Sequence, residues 1–146
     1  MQRLVRADSG QAILEVALAI PFLVAILVGI IDLGRLAQFD TLLATSARAG
    51  ASYGALNLVT ANDIAGMKAA AQSDPPSWAS ITASASNFCK CADGSSTSCT
   101  ATACSANHRL LYVSVTASGN FRPIFKWLLA TSVAAKTRTV VMQVGQ

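Results

Sequence analysis

Side chains that could do chemistry are few in this chain of 146 residues. The one histidine, His108, stands beside Arg109 at the start of a predicted strand, a position more usual for a surface residue than for a general base. No two carboxylates beyond residue 10 are spaced to face each other on one element as an acid and base pair. The sequence contains no G-x-S-x-G, P-loop or H-E-x-x-H motif. We therefore expect no enzymatic activity and no cofactor.

Glu15 is the carboxylate that needs an explanation, because it lies in an apolar run without lysine or arginine. Twenty-one residues, nearly all apolar, separate Gly10 from Asp32. A carboxylate at mid-membrane costs roughly 2.5–3.5 kcal/mol, so such a residue usually has a function. In a plain signal anchor, Glu15 would instead lie near the cytoplasmic interface, where its side chain reaches water.

The cysteines form a second group of reactive side chains. They are Cys89, Cys91, Cys99 and Cys104. A bond between the first two is geometrically poor, which leaves Cys89–Cys99 with Cys91–Cys104, or Cys89–Cys104 with Cys91–Cys99. Each bond would contribute about 2–3 kcal/mol by the chain-entropy estimate. Four thiolates also suffice for a zinc ion, but the spacing lacks paired C-x2-C motifs, so we favour disulfides.

The apolar run is the first element that must position these groups. As an α-helix, Ala12 to Ile31 is about 30 Å long, which matches the hydrocarbon core of a bilayer. Arg3 and Arg6 precede it, so the positive-inside tendency places the amino terminus in the cytoplasm and the rest outside. A cleaved signal peptide is the alternative, but its apolar stretch is shorter and ends at a small-x-small site.

Helical periodicity continues beyond the membrane, and we expect the first helix to end between Asn57 and Thr60. Its apolar stripe comprises Leu33, Leu36, Leu43, Ala47, Ala51, Gly54 and Leu58. Thr60 and Asp63 form a predicted capping box for a second helix, Ala61 to about Gln72. The sequence DPPSW then ends that helix, because two prolines cannot continue it.

After the prolines the period changes to two. The segment LLYVSVTA at 110–117 predicts a half-buried strand, with weaker strands at 78–88 and 132–143 and a loop plus short helix at 120–130. This order predicts an α+β fold, in which a long amino-terminal membrane-spanning helix packs on a small three-stranded antiparallel sheet. The net charge of +4 is dispersed singly, so we expect no nucleic-acid partner.

The amino-terminal layout resembles the class III signal of type IV pilin-like proteins: two arginines, Gly10, the residues QAIL, Glu15 and an apolar helix. The resemblance implies that a prepilin peptidase cuts after Gly10, so that Gln11 becomes the first mature residue. It also implies that Glu15 neutralises the new amino group of a neighbouring subunit in a filament. Two charges that are each costly alone in an apolar bundle then become one pair.

Nearly the whole chain resembles TadE-like proteins, which are minor pilins or pseudopilins of the tight-adherence system that builds Flp pili in bacteria. The similar segments are GQAILEVALAIPFLVAILVGIIDLGR, ATSARAGASYGA, CKCADG with two further cysteines, and VSVTASGNFRPIFKWLLATSVAAKTRTVVMQ. The resemblance implies a subunit that primes, caps or enters a type IVb pilus used for adhesion. The implied partners are the prepilin peptidase, other pilins and pseudopilins through the amino-terminal helix, and the inner-membrane assembly machinery.

Four segments follow from this interpretation: a prepilin-type leader at 1–10, a transmembrane helix at 11–31, a helical extension with a second short helix at 32–76, and a disulfide-containing, β-rich periplasmic domain at 77–146. We expect a single-pass protein of the bacterial inner membrane, with the carboxyl-terminal domain in the periplasm or, after incorporation, in the extracellular pilus. The alternative is a membrane-anchored periplasmic binding or scaffold module that does not polymerise.

Overall fold

The structure is a computed structural model that describes residues 5–73, 79–100, 104, 108–124 and 134–145. Within these residues the chain forms an amino-terminal helical part and an antiparallel sheet. The elements are α1 (Val5–Ala55), α2 (Leu58–Asn62), α3 (Ile64–Gln72), β1 (Ile81–Cys91), β2 (Ser96–Thr97), β3 (Arg109–Phe121) and β4 (Ala134–Gln143). The α+β class expected from the sequence is therefore confirmed.

The first helix, α1, is continuous over 51 residues and contains Pro21. Every side chain from residue 10 to residue 24 is exposed. From Asp32 onward one face of the helix is buried, and Phe39, Leu43 and Ala47 are at most 2% exposed. Their spacing of four residues places them on one stripe, which packs on the sheet. The helix ends at Ala55, two residues before the predicted range.

The sheet has the strand order β2-β1-β3-β4, with all pairs antiparallel. β3 is central and pairs along its length with β1, where Ile81 lies opposite Gly119 and Cys91 opposite Arg109. Val113 and Val115 are fully buried while the serine and threonine that alternate with them are only half-buried. The alternation in the sequence therefore identified the central strand and its inward face.

The expectation of three strands was wrong, because the sheet has a fourth, β2. β2 consists of two residues, which lie opposite Cys89 and Lys90. A strand of this length is too short to show an alternating pattern. It follows a tight turn in which Gly94 has φ 86° and the Asp93 carboxylate accepts a hydrogen bond from the Ser95 amide at 2.9 Å.

The capping box predicted at Thr60 was also wrong. Asn57 is the N-cap of α2, and its side chain accepts hydrogen bonds from the amides of Val59 and Thr60 at 2.9 and 3.0 Å. Thr60 is the third residue of α2 and accepts from the Asn57 amide. Asp63 instead caps α3 by accepting from the Gly66 amide at 2.8 Å. The single predicted helix is therefore two, each with its own cap.

Two glycines allow α1 and α3 to approach closely. A Cβ at Gly50 would lie 2.7 Å from the carbonyl oxygen of Met67, and one at Gly54 would lie 2.3 Å from the sulfur of Met67. Met67 itself is fully buried in the core cluster that joins α1, α3 and β3. The segment ATSARAGASYGA is therefore rich in small residues because a helix and a strand pack against its backbone.

The helix breaker DPPSW and most of the predicted loop and short helix at 120–130 lie outside the described residues. The first residues of the latter segment are described. Phe121 still belongs to β3, and Pro123, two residues later, is buried.

Candidate functional site

The residues predicted for processing and assembly lie on the apolar first half of α1. Gly10, Gln11 and Glu15 are all exposed, and a Cβ at Gly10 would meet no atom within 4 Å. The helix continues through Gly10 without interruption. The structure therefore places the three residues within about two turns of one helix, separate from the folded domain.

The apolar first half of α1 is uncovered by the described part of the chain. Ile13 and Leu18 are each 71% exposed, and Phe22 is 70% exposed. The helix at 10–55 is the one helix among the described residues that is long and apolar enough to cross a bilayer, judged by length and composition. Monomeric soluble proteins rarely expose a contiguous apolar surface of this size. The helix is thus compatible with a membrane anchor.

The four cysteines form two disulfides, Cys89–Cys99 and Cys91–Cys104. This is the first of the two pairings left open by the sequence. The Cα atoms are 5.2 and 5.6 Å apart, within the usual range for a disulfide. One bond joins the end of β1 to the residues after β2, so it holds the short hairpin closed. All four sulfurs are engaged in these bonds.

A buried carboxylate that sequence reasoning did not single out lies where the apolar run ends. Asp32 is 2% exposed, and its two oxygens accept hydrogen bonds from the backbone amide of Ile124 at 3.2 and 3.1 Å. The guanidinium of Arg35 donates to the same carboxylate at 3.1 Å. We call this contact the Asp32 clamp. It fixes the segment after β3 to the helix at the point where the helix leaves the apolar run.

Arg35 also borders a cleft between α1 and the sheet. Its guanidinium carbon lies 5.6 Å from the centre of the Phe121 ring, a distance at which a cation and an aromatic face attract. The cleft has a volume of about 610 Å³. Its lining includes Arg35, Phe39, Ser80, Asn120, Phe121 and Arg122. The two arginines make the described wall of this cleft positive.

A second ion pair connects the outer half of α1 to β4. Arg138 donates from Nε to the Asp40 carboxylate at 2.9 Å and from a terminal nitrogen to its other oxygen. The hydrogen bond from Arg138 lowers the pKa of Asp40 below its usual value.

The Gly66 amide and then the Tyr53 hydroxyl lower the pKa of Asp63 in the same way. His108 is exposed at the start of β3.

The family model described as TadE-like protein matches residues 10–52. The chain carries a TadE-like amino-terminal segment. This segment begins at the predicted cleavage glycine and ends within the close-packed part of α1, so it contains the apolar half, most of the outer half and Asp32.

The family resemblance expected from the sequence is confirmed over this TadE-like segment. This match suggests a protein associated with the tight-adherence pilus system. No curated protein and no solved structure matches the chain.

Proposed function

We propose that this chain is a minor pilin or pseudopilin of the tight-adherence pilus system, cut by a prepilin peptidase after Gly10 and used to prime, cap or enter a Flp pilus. The observation that carries the proposal is the apolar half of α1 at residues 10–31, which no described part of the chain covers and which contains Glu15. An apolar helix of this kind needs either lipid or other helices around it.

The apolar half of α1 is surrounded first by lipid and then by other helices. Before assembly, residues 11–31 span the inner membrane, with Arg3 and Arg6 on the cytoplasmic side and the disulfide-bonded domain in the periplasm. After assembly, the apolar helices of neighbouring subunits take the place of lipid. The partners are therefore the prepilin peptidase, the inner-membrane assembly machinery, and other pilins and pseudopilins.

Glu15 acts in the assembled filament, where other helices surround it. Cleavage after Gly10 frees the amino group of Gln11, and this cation is as costly in an apolar bundle as the carboxylate. A Glu15 that faces the amino group of a neighbouring subunit neutralises both charges. The exposed position of Glu15, without a described partner in its own chain, supports an intermolecular role.

Cleavage is tested by amino-terminal sequencing and intact mass of the protein extracted from membranes. We expect the chain to begin at Gln11 in wild type and at Met1 in Gly10→Leu, because the peptidase must approach the backbone at the cut. Gly29→Leu is the matched control, since both glycines lie on α1 with no atom within 4 Å of an added Cβ. A wild-type chain that begins at Met1 would contradict the proposal and favour a membrane-anchored scaffold that does not polymerise.

Assembly is tested with Glu15→Gln, which removes the charge and keeps the shape. We expect this variant to be inserted and cleaved normally but to give fewer pili by electron microscopy and in sheared fractions. Detection of the wild-type chain in sheared pili identifies a minor pilin, whereas its retention in the membrane identifies a pseudopilin. Undiminished piliation in Glu15→Gln would refute the ion-pair role.

A further inference from the structure

We propose that residues 121–124, together with Arg35, form a second membrane-contact surface that binds phospholipid head groups on the periplasmic side. We call it the head-group surface. The inference rests on the proposed membrane placement of α1. It assigns a function to the cleft beside the Asp32 clamp, which the pilus role does not use.

The Asp32 clamp sets the height of this surface above the bilayer. Asp32 directly follows Ile31, the last residue of the apolar run, and its carboxylate accepts hydrogen bonds from the Ile124 amide. Ile124 therefore lies level with the end of the membrane span. Arg35 is one turn further, about 4.5 Å along the helix axis. The head-group layer on each face is about 5–7 Å thick, so Arg35 lies within it.

The apolar part of the surface is Ile124. This side chain is 56% exposed even though its backbone is fixed to a buried carboxylate and the preceding Pro123 is buried. An exposed branched side chain is costly in water but is favoured at the boundary of the hydrocarbon core. The clamp thus presents an apolar side chain at the depth where lipid begins.

The polar part is the cleft of about 610 Å³ above it. Its described lining includes Arg35 and Arg122 and no carboxylate. The ion pair with Asp32 partly neutralises the charge of Arg35. Arg122 is exposed and contributes a positive charge to the cleft. Guanidinium groups bind phosphate oxygens through paired hydrogen bonds, and the hydroxyl of Ser80 and the amide of Asn120 add further donors. The phosphate of a lipid head group fits this charge and depth.

The depth of residue 124 in the bilayer is tested with a fluorescent probe on the full-length chain in lipid vesicles. Ile124→Cys is labelled with an environment-sensitive dye after the four native cysteines have formed their disulfides. Val59→Cys is the control, because Val59 is 80% exposed and follows the far end of α1, which lies about 35 Å beyond Asp32 along the helix axis. With nitroxide-labelled lipid, we expect at least threefold stronger quenching at residue 124 than at residue 59.

Charge is tested by comparing vesicles of phosphatidylcholine with vesicles that also contain one third phosphatidylglycerol. We expect quenching at residue 124 to increase with the anionic lipid. Arg122→Gln should abolish this increase, whereas Arg48→Gln, which changes another exposed arginine on the outer half of α1, should leave it unchanged.

Equal quenching at residues 124 and 59 in protein that resists alkaline extraction would overturn the head-group surface and leave the membrane placement intact. Release of the chain by alkali would instead overturn the membrane placement itself. If the unlabelled Ile124→Cys variant forms oxidative dimers through residue 124, and its labelled form is not quenched by lipid, a second copy occupies this surface. That result would also overturn the inference.

Discussion

The two halves of α1 belong to one uninterrupted helix but have opposite surroundings. Residues 10–31 are almost entirely exposed within the chain, whereas the stripe from Asp32 to Ala51 is buried against the sheet and α3. Glycine shows the contrast most clearly. A Cβ at Gly29 would meet nothing within 4 Å, while one at Gly50 would lie 2.7 Å from a backbone oxygen. The same residue type is therefore tolerant of substitution in one half and restricted in the other.

The two halves therefore contribute to different processes: the outer half to folding of the domain, and the first half to membrane insertion or assembly. The outer half contributes to the folding of the domain, because its side chains are part of the core. The first half contributes to insertion or assembly, because its side chains need lipid or other helices. Substitutions in the two halves should accordingly be detected by different experiments.

Leu43→Ala should give the largest loss of domain stability. Leu43 is fully buried in the cluster with Phe39 and Ala117, and removal of such a side chain costs about 2–5 kcal/mol through lost burial and the cavity left behind. Denaturant unfolding in micelles, followed by near-UV circular dichroism, measures the change. Leu23→Ala is the paired control, since Leu23 is 56% exposed on the first half. An equal loss in both variants would mean that the apolar half of α1 contributes to domain stability as much as the outer half does.

Gly50→Ala should give the next largest loss, lowering the free energy of unfolding by about 1–3 kcal/mol. The added methyl group collides with Met67 of α3 and forces the two helices apart. Gly29→Ala should leave the unfolding free energy of the domain unchanged. The same denaturant titration checks both. A Gly50→Ala protein as stable as wild type would mean that α1 and α3 are not in close contact.

Asp32→Ala should destabilise the junction between the halves by about 1–3 kcal/mol, because the Ile124 amide loses its acceptor and Arg35 loses its partner. Asp32→Asn retains a carbonyl oxygen that can accept from the Ile124 amide, so it should lose less stability than Asp32→Ala. Hydrogen exchange at the Ile124 amide reports the clamp directly. Protection at this amide that is unchanged in Asp32→Ala would exclude the carboxylate as its acceptor.

The smallest effect should be the dependence of stability on acid pH. The pKa of Asp40 is lowered by its bond to Arg138, so its contribution is complete above the unfolded value of about 3.8 and is lost as the pH falls through the lower folded value. Unfolding followed from pH 7 to pH 2 should show this loss below about pH 4, and Asp40→Asn should reduce it. A decline in the variant as steep as in wild type would assign the acid sensitivity to other carboxylates, such as Asp63.

Local patterns in the sequence predicted the parts of this molecule that depend on local spacing. The long helix and the central strand β3 follow from residue periodicity. The sequence left two cysteine pairings open, and the structure has one of them. The two-residue strand β2 did not follow from periodicity, because two residues carry no period. The observed N-caps, Asn57 and Asp63, each lie three residues from the predicted cap at Thr60, since several polar residues in LNLVTAND are suitable for capping.

The Asp32 clamp is the part of the site that sequence reasoning missed. Its partner is an amide 92 residues further along the chain, so no local pattern connects them. The available signal was weaker: an aspartate directly after the apolar run, followed by Arg35 one turn later. Charges at that position are usual at the end of a membrane span, and only the fold shows that this one is buried.

The clamp also determines how the molecule carries mechanical load. A pull along the apolar half of α1 reaches the segment after β3 at Asp32, which accepts from the Ile124 amide, before it reaches the stripe of core side chains further up the helix. Hydrogen bonds at one point fail before a packed interface does, because the load on them is not shared. Under tension, Ile124 would therefore separate from Asp32 first, while Phe121 stayed in the core cluster with Phe39 and the disulfide-bonded sheet remained folded.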